Sequence, residues 1–359
     1  MSDPTLPRTA RTNLPIQLPI IDISNETPEA GMAMIDAATK YGFLYVDSTS
    51  SDFSNEDVEL AFALARKFFA SPYEEKAEIK IGTGNRGWTG MHIETLDPEN
   101  QQRGDFKEAL NFGEFKNNKA QQPLPPSLIP HEAEISHFMN LCRTTCDRIL
   151  TLLALGLGIP SDWFTSRHDP SKGPSGVTFR FLYYPSIHSP STTTFQHNIE
   201  VRAGAHSDYG SITLLFQRDG EPGLEIQTPT GEWAPVPVRP PTHEEDSSSS
   251  HFPPILVNIG DLLSYWTNGL LKSTVHRVVF PVEERLGTSA GKDRYSMAYF
   301  CHPVHDTQLV PVPSKLVEQR TREISGKGPA SAEIVTAREH LAGRLAATYG
   351  GTPSEYQQD

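Results

Sequence analysis

Hydrophobic residues recur in two rhythms along the chain of 359 residues, and the rhythm changes near the middle. In the first part the spacing is helical. Residues 29–41 place Met32, Ile35, Ala38 and Thr39 near one face, with Gly42 as a stop. Residues 55–69 repeat Val58, Ala61, Phe62, Ala65, Phe68 and Phe69 at helical intervals. Residues 132–157 form a long amphipathic stretch ending at Gly156 and Gly158. Apolar runs at 18–23 and 43–46 predict short strands. Between Gly82 and Gly113 six glycines break any period, which predicts irregular structure over a pocket or surface.

From residue 177 the rhythm shortens. Strands are predicted at 177–184, 211–217, 223–227, 233–238, 255–259, 262–267, 276–280 and 294–301, separated by turn residues. So many short strands without helical spacing between them predict an antiparallel sandwich or barrel. Residues 240–254 are polar and low in complexity, and predict an exposed, mobile loop. Residues 330–349 predict a last helix. The expected organisation is a loose arm at 1–18, an α-rich region at 19–160, a β core at 175–312 carrying the 240–254 insert, and a C-terminal helix and tail at 313–359.

Composition narrows the function classes. With 37% hydrophobic residues, wholesale disorder is excluded. A net charge of −13 argues against nucleic acid or an anionic membrane surface as the main partner. No apolar run approaches the ~20 residues that cross a bilayer. The polar first residues lack the apolar core of a signal peptide. Three cysteines are too few for a disulfide scaffold, so a reducing, cytoplasmic setting is expected. Cys142 and Cys146, four apart on a helix, read as packing.

The candidate chemistry begins at His206-Ser207-Asp208. In an extended segment residues i and i+2 share a face, so this imidazole and carboxylate can meet one point. Of the 13 histidines only His206 has Asp two positions later. A His-x-Asp is common by chance, but His276, opening a later strand, offers a third ligand. Two histidines and one carboxylate leave one side of a metal open, the facial triad of non-haem Fe(II) oxygenases. Arg294 and Ser296 also share a face. A guanidinium fork beside a hydroxyl suits a carboxylate ligand; an internal ion pair is the alternative. Alternation puts Arg180, Leu182 and Tyr184 on one face of a strand and Phe179, Phe181 and Tyr183 on the other.

These residues carry a resemblance. The blocks at 41–46, 68–76 and 107–113 in the first half, and at 204–210, 222–225, 258–261, 264–271, 273–277 and 294–296 in the second, resemble the isopenicillin N synthase-like branch of the Fe(II)/2-oxoglutarate-dependent dioxygenases. The resemblance implies an α+β fold with a mostly β core, a double-stranded β-helix (jelly roll) with an α-rich N-terminal region and flanking helices. It implies Fe(II) on His206, Asp208 and His276. It assigns the distal carboxylate of 2-oxoglutarate to Arg294 and Ser296, aided by the Tyr184 hydroxyl. The other end of the keto acid would chelate the iron, and O₂ would be the oxidant, with ascorbate as reductant in vitro. The implied activity is hydroxylation or desaturation of a small organic molecule, in specialised (natural-product) metabolism, with release of succinate and CO₂. Arg180, Leu182, Phe112 and Phe300 are the expected substrate-pocket residues. Arg180 suits a substrate carboxylate or a salt bridge. Residues 258–261 read as a structural turn. Ring closure without 2-oxoglutarate, as in the family's namesake oxidase, a non-catalytic ligand-binding protein and a protein hydroxylase are the competing readings.

Overall fold

A computed structural model describes residues 12, 14–82, 84–196, 200–241, 251–288, 290–325, 334–349 and 351–357. The expectations for the arm up to residue 11, for residues 242–250 of the polar insert, and for residues 330–333 of the last helix lie outside the described residues. The chain opens with β1 (Ile20–Ile21), α1 (Pro28–Lys40), β2 (Phe43–Val46), α2 (Asn55–Phe69) and α3 (Tyr73–Glu78). There follow β3 (Gly87–Thr89), β4 (Glu108–Phe112), a hairpin of β5 (Phe115–Lys116) and β6 (Lys119–Ala120), and the long α4 (Glu132–Gly156). The second half holds β7 (Thr178–Tyr184), β8 (Ala203–His206), β9 (Ile212–Phe216), β10 (Leu224–Gln227), β11 (Trp233–Pro235) and β12 (Ile255–Ile259). It closes with α5 (Asp261–Trp266), β13 (His276–Val278), α6 (Val282–Arg285), β14 (Arg294–Cys301), α7 (Lys315–Ser325) and α8 (Ala337–Tyr349).

Local chemistry explains the helix starts. Ser54 and Asp57 form a capping box that satisfies two of the orphan amides of α2. Thr27 caps α1, with Pro28 in the first turn. Helices α1 and α4 meet through glycines. A Cβ on Gly156 would stand 2.3 Å from the Gly31 carbonyl oxygen, so the backbones can touch only because both side chains are absent. The exposed side of α1 carries Met32, which sequence spacing assigned to the buried face; Met34, Ile35, Ala37 and Ala38 are the buried residues.

Two sheets face each other. The larger runs β1-β2-β12-β9-β14-β7-β4-β3 and the smaller β11-β10-β13-β8. All pairings except β1 with β2 are antiparallel. One face of the large sheet packs on α2 and α4 through Phe112, Phe179, Phe181, Phe216, Met297 and Tyr299. The other face looks toward the small sheet, and its apolar members, among them Ala109, Leu182, Leu256 and Ala298, form a second, smaller cluster. Each buried large side chain contributes roughly 1.5–3 kcal/mol, so the helix-covered face is the main source of stability. No described helix is long and apolar enough to cross a membrane.

Three expectations are corrected. Residues 262–267 form most of α5 rather than a strand, because an apolar run this short fits either period. The glycine-rich stretch 82–113 contains β3 and β4, and β4 pairs with β7 in the large sheet. Phe112 lies on the helix-covered face, fully buried, with ring centroids 6.0 Å from Phe179 and 5.1 Å from Phe181. It packs into the core beneath the helices rather than facing the small sheet. Pleating alternates faces, so its neighbours Asn111 and Ala109 point inward instead. Phe112→Ala is therefore expected to cost about 3–5 kcal/mol in chemical denaturation, the penalty of an aromatic core truncation.

Candidate active site

The small sheet brings the two histidines together. His206 at the end of β8 is the cross-strand partner of His276 at the start of β13, with ring centroids 4.3 Å apart. Asp208 sits two residues beyond His206. Its Oδ1 lies 3.9 Å from His206 Nε2 and 3.7 Å from His276 Nε2. One ligand atom from each of the three residues lies within 4.8 Å of the others.

Their hydrogen bonds leave the right atoms free. His206 Nδ1 donates to the Gly204 carbonyl at 2.7 Å, and His276 Nδ1 donates to the Thr274 carbonyl at 3.1 Å. A carbonyl only accepts, so each Nδ1 is the donor, and Nε2 is the nitrogen that each ring turns toward Asp208. The other oxygen of Asp208, Oδ2, accepts from Thr213 Oγ1 and Asn258 Nδ2, each at 2.7 Å. That grip turns Oδ1 toward the histidines. Burial and the neighbouring His276 push the His206 pKa well below the usual imidazole range. Burial would raise the Asp208 pKa, but the two histidines and its hydrogen bonds outweigh it and lower it. A carboxylate with two imidazole nitrogens, one ligand atom of each within 4.8 Å of the others, fits a divalent metal. Asn258, read from sequence as part of a turn, is a β12 residue holding the candidate ligand.

The loop 94–107 is fastened to β8. Asp105 Oδ1 accepts from the Gly204 amide at 3.0 Å and from Gln101 Nε2 at 2.8 Å. A Cβ on Gly204 would meet Gln101 Oε1 at 2.3 Å. The absent side chain thus lets the loop lie directly on the strand that presents His206.

Two cavities flank these three residues. The first lies between the sheets, and its lining includes Leu182, Tyr184, Arg294 and Ser296. Cross-strand pairing of Arg294 with Tyr184 and of Ser296 with Leu182 sets all four on the inner face. Arg294 is 2% exposed. Its guanidinium donates to the Glu221 carbonyl, Ser296 Oγ and Gln217 Oε1 at 3.2, 3.2 and 3.3 Å, all neutral acceptors. Among the described residues no carboxylate oxygen comes within ion-pair distance of it. Gln217 also keeps a buried Nε2 without a partner among the described residues. A buried cation whose hydrogen-bond acceptors are all neutral fits an incoming carboxylate.

The second cavity opens on the other side of His206 and Asp208. Its walls include Asn85, Leu96, Tyr209, Phe300 and, from α8, Leu345 and Tyr349. Phe300 and Arg180 line both cavities. Arg180 is already engaged: NH1 pairs with Glu94 at 3.4 Å, and Nε donates to Asn111 Oδ1 at 2.7 Å. Of its two sequence readings, the salt bridge is the one formed. Glu94 is also paired with Lys107 at 2.7 Å and accepts from the Tyr349 hydroxyl, and Lys107 in turn pairs with Asp105. Burial would raise the Glu94 pKa, but Lys107 and Arg180 outweigh it and hold the carboxyl well below its usual range. Burial pushes His302, another lining residue, down to about 3, so it is neutral at physiological pH. Sequence reading missed Asn85, Glu94, Lys107, Asn258 and Tyr349. Lys107 and Asn258 stood inside the quoted blocks; nothing local distinguished the other three from surface residues.

Comparison with known proteins agrees with this geometry. A family model described as non-haem dioxygenase in morphine synthesis N-terminal matches residues 18–132, and the model of the 2OG-Fe(II) oxygenase superfamily matches 177–303. A UPF0676 protein of Schizosaccharomyces pombe is 37% identical over 93% of this chain and 94% of its own. Homoarginine-6-hydroxylase 2-ODD-C23 of Glycine max is 28% identical over 91% and 96%. The crystal structure of a full-length Neurospora crassa protein in complex with alpha-KG and thymine matches with a TM-score of 0.73 and 28% identity, covering 95% of this chain and 100% of that one. Matched in order through both halves, the chain belongs to the 2OG-Fe(II) oxygenase superfamily: it is a 2-oxoglutarate-dependent dioxygenase with a jelly-roll core, and Fe(II) and 2-oxoglutarate are its cofactors.

Proposed function

We propose that His206, Asp208 and His276 hold Fe(II), that Arg294 and Ser296 hold the distal carboxylate of 2-oxoglutarate beside the Tyr184 phenol, and that the enzyme hydroxylates or desaturates a small organic molecule in specialised metabolism, with release of succinate and CO₂. The observation that carries this reading is the buried Arg294, charged and met only by neutral acceptors, on the wall of a cavity that also reaches the three ligands. Bound together, Fe(II) and 2-oxoglutarate supply the oxidising power for an unactivated C–H bond. The chain orients and encloses. Gly204 and Thr274 fix the two imidazoles through their carbonyls, and Thr213 and Asn258 fix the carboxylate. Arg294 and Ser296 anchor the far end of the keto acid and so set its reach. Leu182, Ala298 and Phe300 keep the space apolar, which excludes water from the reacting centre.

Relatives support a small-molecule substrate: one is named for homoarginine, another for proline, and a solved neighbour holds thymine. The N-terminal family model, named for morphine synthesis, supports specialised metabolism. In this reading residues 175–312 are the catalytic core, residues 19–160 give it outer strands and a helical cover, and residues 313–359 wall the second cavity through α8. Three cysteines, all free and buried, support a reducing cytoplasmic setting.

The test of the activity is a screen of small molecules with Fe(II), ascorbate and 2-oxoglutarate. A substrate is expected to accelerate succinate release and to yield a product that has gained one oxygen or lost two hydrogens by mass spectrometry. Succinate release that no small molecule accelerates contradicts the proposal. Asn258→Ala tests the support of the metal ligand. It is expected to weaken divalent-metal binding about 10- to 100-fold, the usual cost of losing a group that orients a ligand, read by Mn(II) titration.

A further inference from the structure

The two cavities treat charge in opposite ways. In the first, Arg294 has no anionic partner of its own among the described residues. In the second, every ionic side chain apart from the candidate metal ligand Asp208 is already neutralised. Arg180 pairs with Glu94, Glu94 with Lys107, and Lys107 with Asp105. Of these four, Arg180 and Glu94 line the second cavity and neutralise each other there, while Lys107 lines the first. Arg180, Glu94 and Lys107 are shielded, with side chains 12%, 3% and 3% exposed. The other groups that face this space are hydroxyls, an amide, imidazoles and apolar side chains. A carboxylate entering here would leave water and find no counter-ion to spare, a cost of several kcal/mol.

The network also fixes donors and acceptors. Asn111, fully buried on β4, accepts from Arg180 Nε through Oδ1. Its Nδ2 donates to the backbone oxygen and Oδ1 of Asn85, at 3.0 and 3.1 Å. Asn85 holds a left-handed backbone with φ of 56°. Asn85, whose Oδ1 accepts from Asn111, lines the cavity as a neutral amide. Across the space stand the Phe300 and Tyr209 rings, and Arg180 lies 5.5 Å from the Phe300 ring centroid. The wall thus offers neutral hydrogen-bonding groups and aromatic surface.

We propose that the second cavity selects an uncharged, hydrogen-bonding molecule with a flat apolar face, such as an amide, lactam or heterocycle, and rejects free carboxylates because Glu94 has taken the charge of Arg180. The proposal rests on the dioxygenase reading above and names the substrate class of that site. Asn111 is a positioning residue, acting through Arg180 and Asn85.

The experiment is calorimetric titration of the protein loaded with Mn(II) and 2-oxoglutarate, so that the readout is affinity rather than turnover. Two matched pairs are compared: uracil against orotate, and phenylacetamide against phenylacetate. The expected result is binding of the neutral member of at least one pair, with its acid at least about tenfold weaker. Glu94→Gln releases Arg180 and is expected to move that ratio toward the acid by about tenfold. Because this variant disturbs a buried network, its melting temperature is recorded alongside, and the wild-type ratio carries the test by itself. An acid that binds as well as its neutral partner, or no binding by either neutral compound, overturns the proposal. Titration of 2-oxoglutarate into the Mn(II) protein comes first. If the co-substrate binds and the acids win, only the substrate class is wrong; if the co-substrate does not bind, the site reading itself falls.

Discussion

Asp208→Ala is expected to lower the rate of succinate formation by more than about 100-fold and to abolish tight metal binding. The estimate is a lower bound, since losing a group that merely orients a ligand already costs about 10- to 100-fold. Asp208 supplies the one negative charge among the three candidate ligands, and Oδ1 is the atom that both imidazoles face. Its removal leaves two neutral nitrogens, a poor match for a hard divalent ion. The fold should persist, because Asp208 lies in the turn after β8 and outside both hydrophobic clusters. Circular dichroism and metal content measured on the same sample separate loss of metal from loss of structure. An Asp208→Ala protein that holds metal and forms succinate at the parent rate would remove Asp208 from the site.

Arg294→Ala is expected to weaken 2-oxoglutarate binding by about 10- to 150-fold, the equivalent of the roughly 1.5–3 kcal/mol that a hydrogen bond to a charged group contributes. The sign should reverse in the absence of the co-substrate. Arg294 is a buried cation whose direct acceptors are a carbonyl, a hydroxyl and an amide. Burial, partly opposed by Tyr184 and Glu221, pulls its pKa down. Truncating such a group removes a buried charge that has no carboxylate at ion-pair distance among the described residues, so the ligand-free variant should unfold at no lower denaturant concentration than the parent. Arg294→Lys keeps the charge but loses the fork, and should fall between the two. Calorimetry with Mn(II) present measures the affinity, and urea unfolding measures the stability. Unchanged affinity would assign the carboxylate to another residue.

Those two residues were legible in the chain because each rests on a period of two. His206 with Asp208, and Arg294 with Ser296, share a face whenever the local backbone is extended, and β14 and the end of β8 are extended. The strands at 255–259 and 294–301 were equally plain, being apolar runs bounded by glycine or proline on at least one side or by a charged opening residue. What stayed hidden depended on long-range contacts. Phe112 and Asn111 are adjacent, and only the pairing of β4 with β7 decides which of them points inward. Phe112, expected as an apolar pocket wall, lies on the helix-covered face, and the adjacent Asn111 lies on the inner one. The run at 262–267 has no period long enough to separate strand from helix, and α5 forms just after Gly260. The chain Arg180–Glu94–Lys107–Asp105 was invisible for a different reason. Charged residues in an irregular, glycine-rich loop read as solvated, and only tertiary packing reveals that this loop lies under α8 and against β8.

The contrast between the two arginines links fold to function. Both project from the inner face of neighbouring strands in the large sheet, Arg180 from β7 and Arg294 from β14. Among the described residues, one has a carboxylate within reach and the other does not. A sheet that buries two guanidinium groups and neutralises only one has a place for one anion. That matches a cofactor carrying a carboxylate at its far end.

The most direct test of the central claim is succinate formed from 2-oxoglutarate by the Fe(II)-loaded protein in air, run in parallel for the parent, Asp208→Ala and Arg294→Ala at one co-substrate concentration below saturation. The account predicts succinate from the parent, none above background from Asp208→Ala, and a strongly reduced rate from Arg294→Ala that rises again as 2-oxoglutarate is increased. No succinate from a parent shown to contain iron, or equal rates from all three proteins, would contradict it.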